Sequence, residues 1–129
     1  MYKRKTDIPS NPTQDIGNTV EAAERIVQYI QQIGSEFVFG VPGGAIEPIY
    51  NALARSERSN IGQPRAMNAC HETGAAFMAD GYFRATGKLG VCIGTSGPGA
   101  TNMITGVACA YDNHIPCLLY TSPSPRDRG

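Results

Sequence analysis

Apolar residues recur along this chain with two different periods. The helical period of three to four residues appears first at Val20, Ala23, Val27 and Ile30. Asn18 and Glu21, three residues apart, predict a capping box at the start of this helix, and Gly34 predicts its end. A short run of β-branched and aromatic residues follows at 37–41 and predicts a strand that ends in the Pro-Gly-Gly of 42–44.

The rest of the chain repeats this alternation of strand and helix. Helical spacing returns at Ile46, Ile49, Tyr50 and Leu53. Further strands are predicted at 65–70, 89–93 and 116–119, and further helices at about 73–84 and from 96–99 through 111. Pro98 is acceptable in the first turn of the last helix, where no amide donor is needed.

This order predicts an α/β fold with a parallel sheet flanked by helices on both faces, because strands alternate with helices across short connections. Ligands of such sheets bind beyond the carboxyl ends of the strands. Three segments fall at that edge, residues 41–44, 71–72 and 95–99. We therefore expect the chemistry of the chain there.

Composition narrows the classes of protein. The 129 residues are enough for one domain, and 11 basic against 11 acidic side chains give no support for a nucleic-acid partner. The basic N-terminus is followed by Asp and Pro rather than by an apolar run, so we expect neither a signal peptide nor a membrane span. The cysteines lack C-x-x-C spacing and lie among apolar residues, which favours a cytoplasmic protein. They are Cys70, Cys92, Cys109 and Cys117.

Three regions are expected along the chain. Residues 1–17 have no hydrophobic period and predict a disordered lead. Residues 18–119 form the domain. The Pro- and Ser-rich residues 120–129 resemble translated sequencing-adapter sequence, so we expect them not to be native, with a genuine linker as the alternative.

The His-Glu pair at the sheet edge has several interpretations. Zinc binding of the HExxH type is excluded because Ala75 stands four residues after His71. A catalytic triad within Cys70, His71 and Glu72 is disfavoured, since successive strand residues point to opposite faces. Periodicity alone favours Glu72 as a carboxylate stabilised by the dipole of the following helix.

The glycine segments are also open to two interpretations. Either one could be a tight turn between strand and helix. Gly97 and Gly99 before a helix also suggest a phosphate- or nucleotide-binding module. That signal is weak, because Asn102 replaces the third glycine and no acidic residue follows at the spacing that a ribose needs.

The strings FVFGVPGG and HETGAAFMADGYFRATGKLGVCIGTSGPGATNMITGVACAYDNHIP, in this order, are highly specific. They resemble the N-terminal pyrimidine-binding domain of thiamine-diphosphate enzymes, above all the large subunit of the acetolactate synthase (acetohydroxyacid synthase) family. The resemblance runs from about residue 19 to residue 118. It implies the same α/β fold and thiamine diphosphate as cofactor.

The resemblance assigns a catalytic role to Glu72. A carboxyl group hydrogen-bonded to N1′ of the aminopyrimidine would favour its imino form, which removes the C2 proton of the thiazolium ring. An apolar wall around Glu72 would favour its neutral form, and glycines would let the backbone approach the ring. The implied cofactor-binding residues are Val41, Pro42, Gly43, Gly44, Glu72, Ser96, Pro98 and Asn102. No metal ligand is implied in this chain.

The resemblance also implies an activity and an assembly. The expected substrate is a 2-oxo acid such as pyruvate, decarboxylated and then joined to a second 2-oxo acid, in a homodimer or tetramer with the active site between chains. Apolar surface near 42–50 and 97–103 would then be covered by the partner. Mg²⁺ is expected on a Gly-Asp-Gly segment, which this chain lacks, so the metal site would lie in a separate C-terminal domain and the fragment alone would be inactive. FAD is a further cofactor that the resemblance allows.

Three positions differ from the pattern common in acetolactate synthases. Cys70 stands where Arg is frequent, Thr73 where Gln is frequent, and Val41 where Tyr is frequent. These changes leave the cofactor-activating motif intact and bear on the substrate and on the flavin.

Overall fold

A computed structural model describes residues 21–59 and 62–121. The helices are α1 (Ala22–Gln32), α2 (Glu47–Arg58), α3 (Glu72–Thr86), α4 (Pro98–Asn102) and α5 (Ile104–Asp112). The strands are β1 (Phe37–Gly40), β2 (Arg65–Asn68), β3 (Gly90–Ile93) and β4 (Cys117–Tyr120). A short 3₁₀ turn, Gly44–Ile46, leads into α2.

The four strands form one parallel sheet in the order β2-β1-β3-β4. β1 pairs with β2 through Phe37 and Arg65, and with β3 through Val38 and Val91. The chain moves outward from β1 to β2, then crosses back to β3 on the other side of β1. The parallel α/β sheet predicted from the sequence is confirmed.

Helices cover both faces because alternate residues of β1 and β3 are apolar on both sides. Val38, Val91 and Ile93 pack with the buried side of α1 and α2. Phe39 and Cys92 face the other way and pack with α3 and Met103. Both strands are almost completely buried, as expected for central strands of a parallel sheet.

Small side chains let α3 lie close to the sheet. Ala75, Ala76 and Ala79 on this helix are buried. A Cβ atom on Gly90 of β3 would lie 2.1 Å from the carbonyl oxygen of Ala79, and one on Gly106 of α5 would lie 2.5 Å from Cβ of Ala76. α3 therefore has little room to shift against β3 and α5.

Several predicted boundaries are wrong. The capping box fails, because α1 begins at Ala22 with Glu21 as its N-cap and no side-chain cap bond. Asn18, like the lead 1–17 and the residues beyond 121, lies outside the described residues. β2 ends at Asn68, and β4 continues to Tyr120, which pairs with Ile93.

The predicted last helix is two helices. α4 ends at Asn102 and α5 begins at Ile104, with Met103 between them. At the break, the carbonyl oxygen of Asn102 accepts a hydrogen bond from Thr73 Oγ1 on α3. This tertiary contact cannot be seen in the helical periodicity of the segment.

The exposed apolar surface also differs from the sequence expectation. Ile46, Ile49 and Met103, the large aliphatic side chains of segments 42–50 and 97–103, are buried. Large exposed apolar side chains lie outside these two segments, and they are Tyr29, Met67, Phe77, Met78, Ile104, Tyr111 and Leu119. None of the described helices is long and apolar enough to cross a membrane.

Candidate functional site

The candidate site lies at the carboxyl edge of the sheet, between β1 and β3. These strands are neighbours, but their following helices cover opposite faces, so the loops after them diverge. Such a switch point is where open parallel sheets form a ligand crevice. The loop that enters α3 reaches the same place and carries Glu72.

Two glycines allow the three loops to touch. A Cβ atom on Gly43 would lie 2.6 Å from Cβ of Thr95, in the loop after β3. A Cβ atom on Gly99 would lie 2.8 Å from Cγ2 of Thr95 and 3.2 Å from Oε1 of Glu72. A continuous contact therefore runs from the β1 loop through Thr95 to Glu72.

The glycines were expected to let the backbone approach the cofactor ring, and the structure gives Gly43 a different role. At Gly43 the space of a side chain is filled by Thr95, so its absence lets two loops approach each other. Gly44 has open space where a Cβ atom would stand. The described structure thus explains Gly43 by loop packing and gives no steric reason for Gly44.

Glu72 is the first residue of α3. His71 is the N-cap, and its Nδ1 accepts a hydrogen bond of 3.2 Å from the backbone N–H of Thr73. The half-buried carboxylate thus stands at the positive end of a 15-residue helix. The helix-dipole interpretation of Glu72 and the catalytic one both fit this position.

Asn102 fixes the carboxylate from the other side. Its Nδ2 donates a hydrogen bond of 3.1 Å to Glu72 Oε2. This bond is the main reason that the pKa of Glu72 lies below its usual value, aided by a backbone N–H bond and by His71 and opposed by burial. Glu72 is therefore ionised at neutral pH. The neutral form expected from an apolar wall is not favoured, because the donor outweighs desolvation.

The other residues predicted for the site fall into two groups. Pro42, Gly43 and Gly44 line a groove of about 310 Å³ together with Glu47 and Tyr50. Val41, half-buried, lies just before this group. Ser96 and Pro98 are exposed at the start of α4, and no hydrogen bond among the described residues links them to Glu72. Asn102 makes the direct contact.

Three residues at the site were not among the predicted cofactor-binding residues, although the sequence placed 95–99 at the sheet edge and Thr73 differed from the family pattern. Thr95 joins the loops, Thr73 bonds to Asn102, and Tyr50 places its hydroxyl group against Gly40, where a Cβ atom would lie 2.7 Å away. Thr73 and Asn102 are 29 residues apart, so no local signal reveals their bond. Thr95 lies in the edge segment 95–99 predicted from the sequence, but its contact with Gly43 could not be predicted.

Within residues 21–59 and 62–121, no group of three His, Cys, Asp or Glu side chains could hold a metal ion. What the site offers is one oriented carboxylate, one amide and the backbone of two loops around a crevice. This combination can hold a flat, hydrogen-bonding ring and exchange or stabilise a proton at one of its nitrogen atoms.

Comparison with known proteins identifies similar sequences. The family model described as the N-terminal TPP binding domain of thiamine pyrophosphate enzymes matches residues 20–128. An acetolactate synthase of Arthrospira platensis is 45% identical over 107 residues, which is 83% of this chain and 18% of that protein.

Other relatives show the same proportions. A probable acetolactate synthase large subunit of Methanococcus aeolicus is 44% identical over 82% of this chain and 17% of its own length. The acetolactate synthase isozyme 1 large subunit of Escherichia coli K12 is 41% identical over 90% of this chain and 20% of its own length. The chain thus spans about a fifth of the length of these relatives.

Proposed function

The chain belongs to the family of N-terminal TPP-binding domains of thiamine pyrophosphate enzymes, and from this premise we propose that it activates thiamine diphosphate in an acetolactate synthase-like enzyme. Glu72 is the proposed catalytic residue. The observation that carries the proposal is the position of its carboxylate, at the junction of three loops and held by Asn102. The nucleotide-binding alternative is not favoured, since the family match accounts for the same glycines.

The residues present fit the cofactor's aminopyrimidine ring. The backbone at Gly43 and Gly99 lies close against Thr95, which brings the two glycine loops together beside Glu72. Glu72 is half-buried, so its carboxylate stays partly accessible to a ring while Asn102 binds Oε2. Thiamine diphosphate held by these residues would supply a nucleophilic carbon for the carbonyl group of a 2-oxo acid. The part of Glu72 is to hold a proton at N1′ of the ring.

An ionised Glu72 suits this task. The lowered pKa of Glu72 in the free chain favours a carboxylate that can accept a hydrogen bond from a protonated N1′. Val41, Pro42, Gly43 and Gly44 would face the ring from the β1 loop, and Ser96 and Pro98 from the β3 loop. These binding roles rest on the resemblance and on the position of both loops at the crevice.

The larger assembly is part of the same proposal. The complete polypeptide would decarboxylate pyruvate or a related 2-oxo acid and join the product to a second one. A homodimer or tetramer would place this domain against the metal-binding domain of another chain, with Mg²⁺ held there, and the proposal assigns no FAD contact to this chain. All four cysteines are free, which supports a cytoplasmic location.

The decisive experiment replaces Glu72 by Gln in the complete polypeptide cloned from the locus. Hydrogen–deuterium exchange at thiazolium C2, followed by rapid quench and proton NMR with Mg²⁺ present, should slow by about 10²- to 10⁴-fold, the scale of positioned acid–base catalysis. Cofactor affinity should change much less, because the diphosphate and metal contribute most of it.

Glu24→Gln is the matched control, because Glu24 is an acidic residue in the first turn of α1, away from the crevice. It should leave the exchange rate unchanged. If Glu72 acted only on the helix dipole, both variants would lose a few tenths to about 1 kcal/mol of stability and keep normal exchange. That result would overturn the catalytic assignment.

A further inference from the structure

Two hydrogen bonds connect neighbouring residues of α3 to a single residue of α4. Thr73 Oγ1 donates to the carbonyl oxygen of Asn102. The side chain of the same asparagine returns to α3, where Nδ2 donates to Glu72 Oε2 at 3.1 Å. Asn102 is therefore held at its backbone by one residue and binds the next with its amide.

This arrangement has a mechanical consequence. An asparagine side chain rotates freely about two torsions, so an amide held by one bond alone would leave Glu72 with an uncertain donor. Holding the Asn102 carbonyl fixes the backbone from which the amide projects. The Asn102 carbonyl lies at the break before α5. In a continuous helix it would accept a backbone hydrogen bond, whereas here it accepts one from the hydroxyl group of Thr73.

We propose that Thr73 is a positioning residue for Glu72 and that it acts through Asn102. This inference rests on the proposed function and deepens it by naming two residues that orient the cofactor-activating carboxylate. Thr73 itself does not contact the cofactor in this assignment. Loss of its hydroxyl group should let Asn102 move and weaken the bond to Glu72.

The expected change has a definite sign. Asn102 lowers the pKa of Glu72, so a weaker bond raises that pKa toward its usual value. His71 is the titratable neighbour that also acts on this carboxylate. With the carboxylate protonated over a wider acidic range, the acid limb of a pH profile that depends on Glu72 should move to higher pH.

The test uses the complete polypeptide and two readouts from pH 4.5 to 8: the Kd of thiamine diphosphate with Mg²⁺ by calorimetry, and C2 exchange. Thr73→Val keeps the shape of the side chain but removes the hydroxyl group. It should weaken binding roughly threefold to tenfold at neutral pH and move both acid limbs upward, as expected for the loss of one hydrogen bond. Thr73→Ser should behave like the wild type.

A double-mutant cycle shows whether Thr73 works through Asn102. Asn102→Ala should produce the same upward shift or a larger one. Adding Thr73→Val to Asn102→Ala should then change neither readout further, because the intermediary is already absent. Thr101→Val is the matched control, since the hydroxyl group of Thr101 bonds within α4, to the Pro98 carbonyl, and it should leave both profiles unchanged.

Each outcome decides the matter. Wild-type profiles in Thr73→Val, a shifted profile in Thr73→Ser, or additive effects in the double variant would overturn the positioning role and leave the proposed function standing. Wild-type protein without cofactor binding or C2 exchange would overturn both. A uniform loss of affinity with unshifted acid limbs would show that Thr73 only holds α3 and α4 together.

Discussion

At the scale of single residues, Tyr50 has an unusual environment. Its hydroxyl group is buried beside Gly40 and has no hydrogen-bond partner among the described residues. Burial raises the pKa of Tyr50 to about 12. A buried polar group without a partner destabilises the folded state, because it has lost its bonds to water.

Tyr50→Phe should therefore stabilise the domain. We expect slower hydrogen exchange of β1 amides in the complete polypeptide, equivalent to about 1 kcal/mol. Because the folded-state pKa of Tyr50 is raised, its ionisation favours the unfolded chain, and the domain loses stability as pH rises from 10 toward 12. The phenylalanine variant should lack this part of the alkaline decline.

The measurement is exchange mass spectrometry at neutral pH and at pH 10.5, corrected for intrinsic rates. Tyr29→Phe is the control, since Tyr29 is exposed on α1. Faster exchange in Tyr50→Phe than in the wild type would mean that the hydroxyl group has a stabilising partner, such as an ordered water molecule.

At the scale of elements, the fit of α3 against β3 depends on one glycine. Gly90→Ala would place a methyl group 2.1 Å from a backbone carbonyl oxygen, which neither side can move easily. Such overpacking costs about 1 to 3 kcal/mol or more. We expect faster amide exchange in β3 and α3 and a lower melting temperature.

Gly81→Ala, on the helix that Gly90 contacts, is the opposite case. Nothing lies within 4 Å of a Cβ atom at Gly81, and the residue is exposed in the interior of α3. Alanine there should stabilise the helix by about 0.5 to 1 kcal/mol. Equal effects of the two substitutions would show that α3 and β3 are not in the close contact described.

The sequence predicted elements better than their ends. The buried apolar runs of β1 and β3 identified both central strands, because a strand covered on two faces has few polar residues. The break at Met103 could not be predicted, since it coincides with a bond from Thr73, 29 residues from Asn102. The start of α1 was misplaced because Asn18 and Glu21 match the capping pattern by composition alone.

The position of the site could be predicted from the sequence, but its hydrogen bonds could not. Glu72 and the glycine loops follow strands, so strand order alone places them at one edge. The hydrogen bond from Asn102 to Glu72 depends on side-chain geometry across 30 residues. The sign of the pKa shift of Glu72 depends on that bond, and so the sequence led to the opposite expectation.

At the scale of the whole molecule, one surface stands out. A groove of about 540 Å³ lies between α5 and β4, and its lining includes Ile104, Tyr111 and Leu119. Their exposures are 62%, 84% and 40%. β4 is also an edge strand of the described sheet. Exposed apolar side chains beside an open strand edge favour association.

The isolated chain should therefore self-associate. Analytical ultracentrifugation at micromolar concentration should show species larger than the monomer, and Tyr111→Ser together with Ile104→Ser should shift the distribution toward the monomer. Tyr29→Ser, at a similarly exposed position on α1, should have little effect. If the unsubstituted chain were a monodisperse monomer, the exposed apolar surface would not drive association, and the prediction would be wrong.

The position of β1 in the sheet has a consequence for synthesis of the chain. β1 lies between β2 and β3, but it is translated first. One edge of β1 can pair only after β3 has been made, because Val38 pairs with Val91. At about 5 to 20 residues per second, roughly 3 to 10 seconds separate the two residues at the ribosome. During that interval a strand destined for the core has one edge open to neighbouring nascent chains. Slower translation across residues 40–90 should therefore lengthen the time in which the open edge of β1 can associate with other chains.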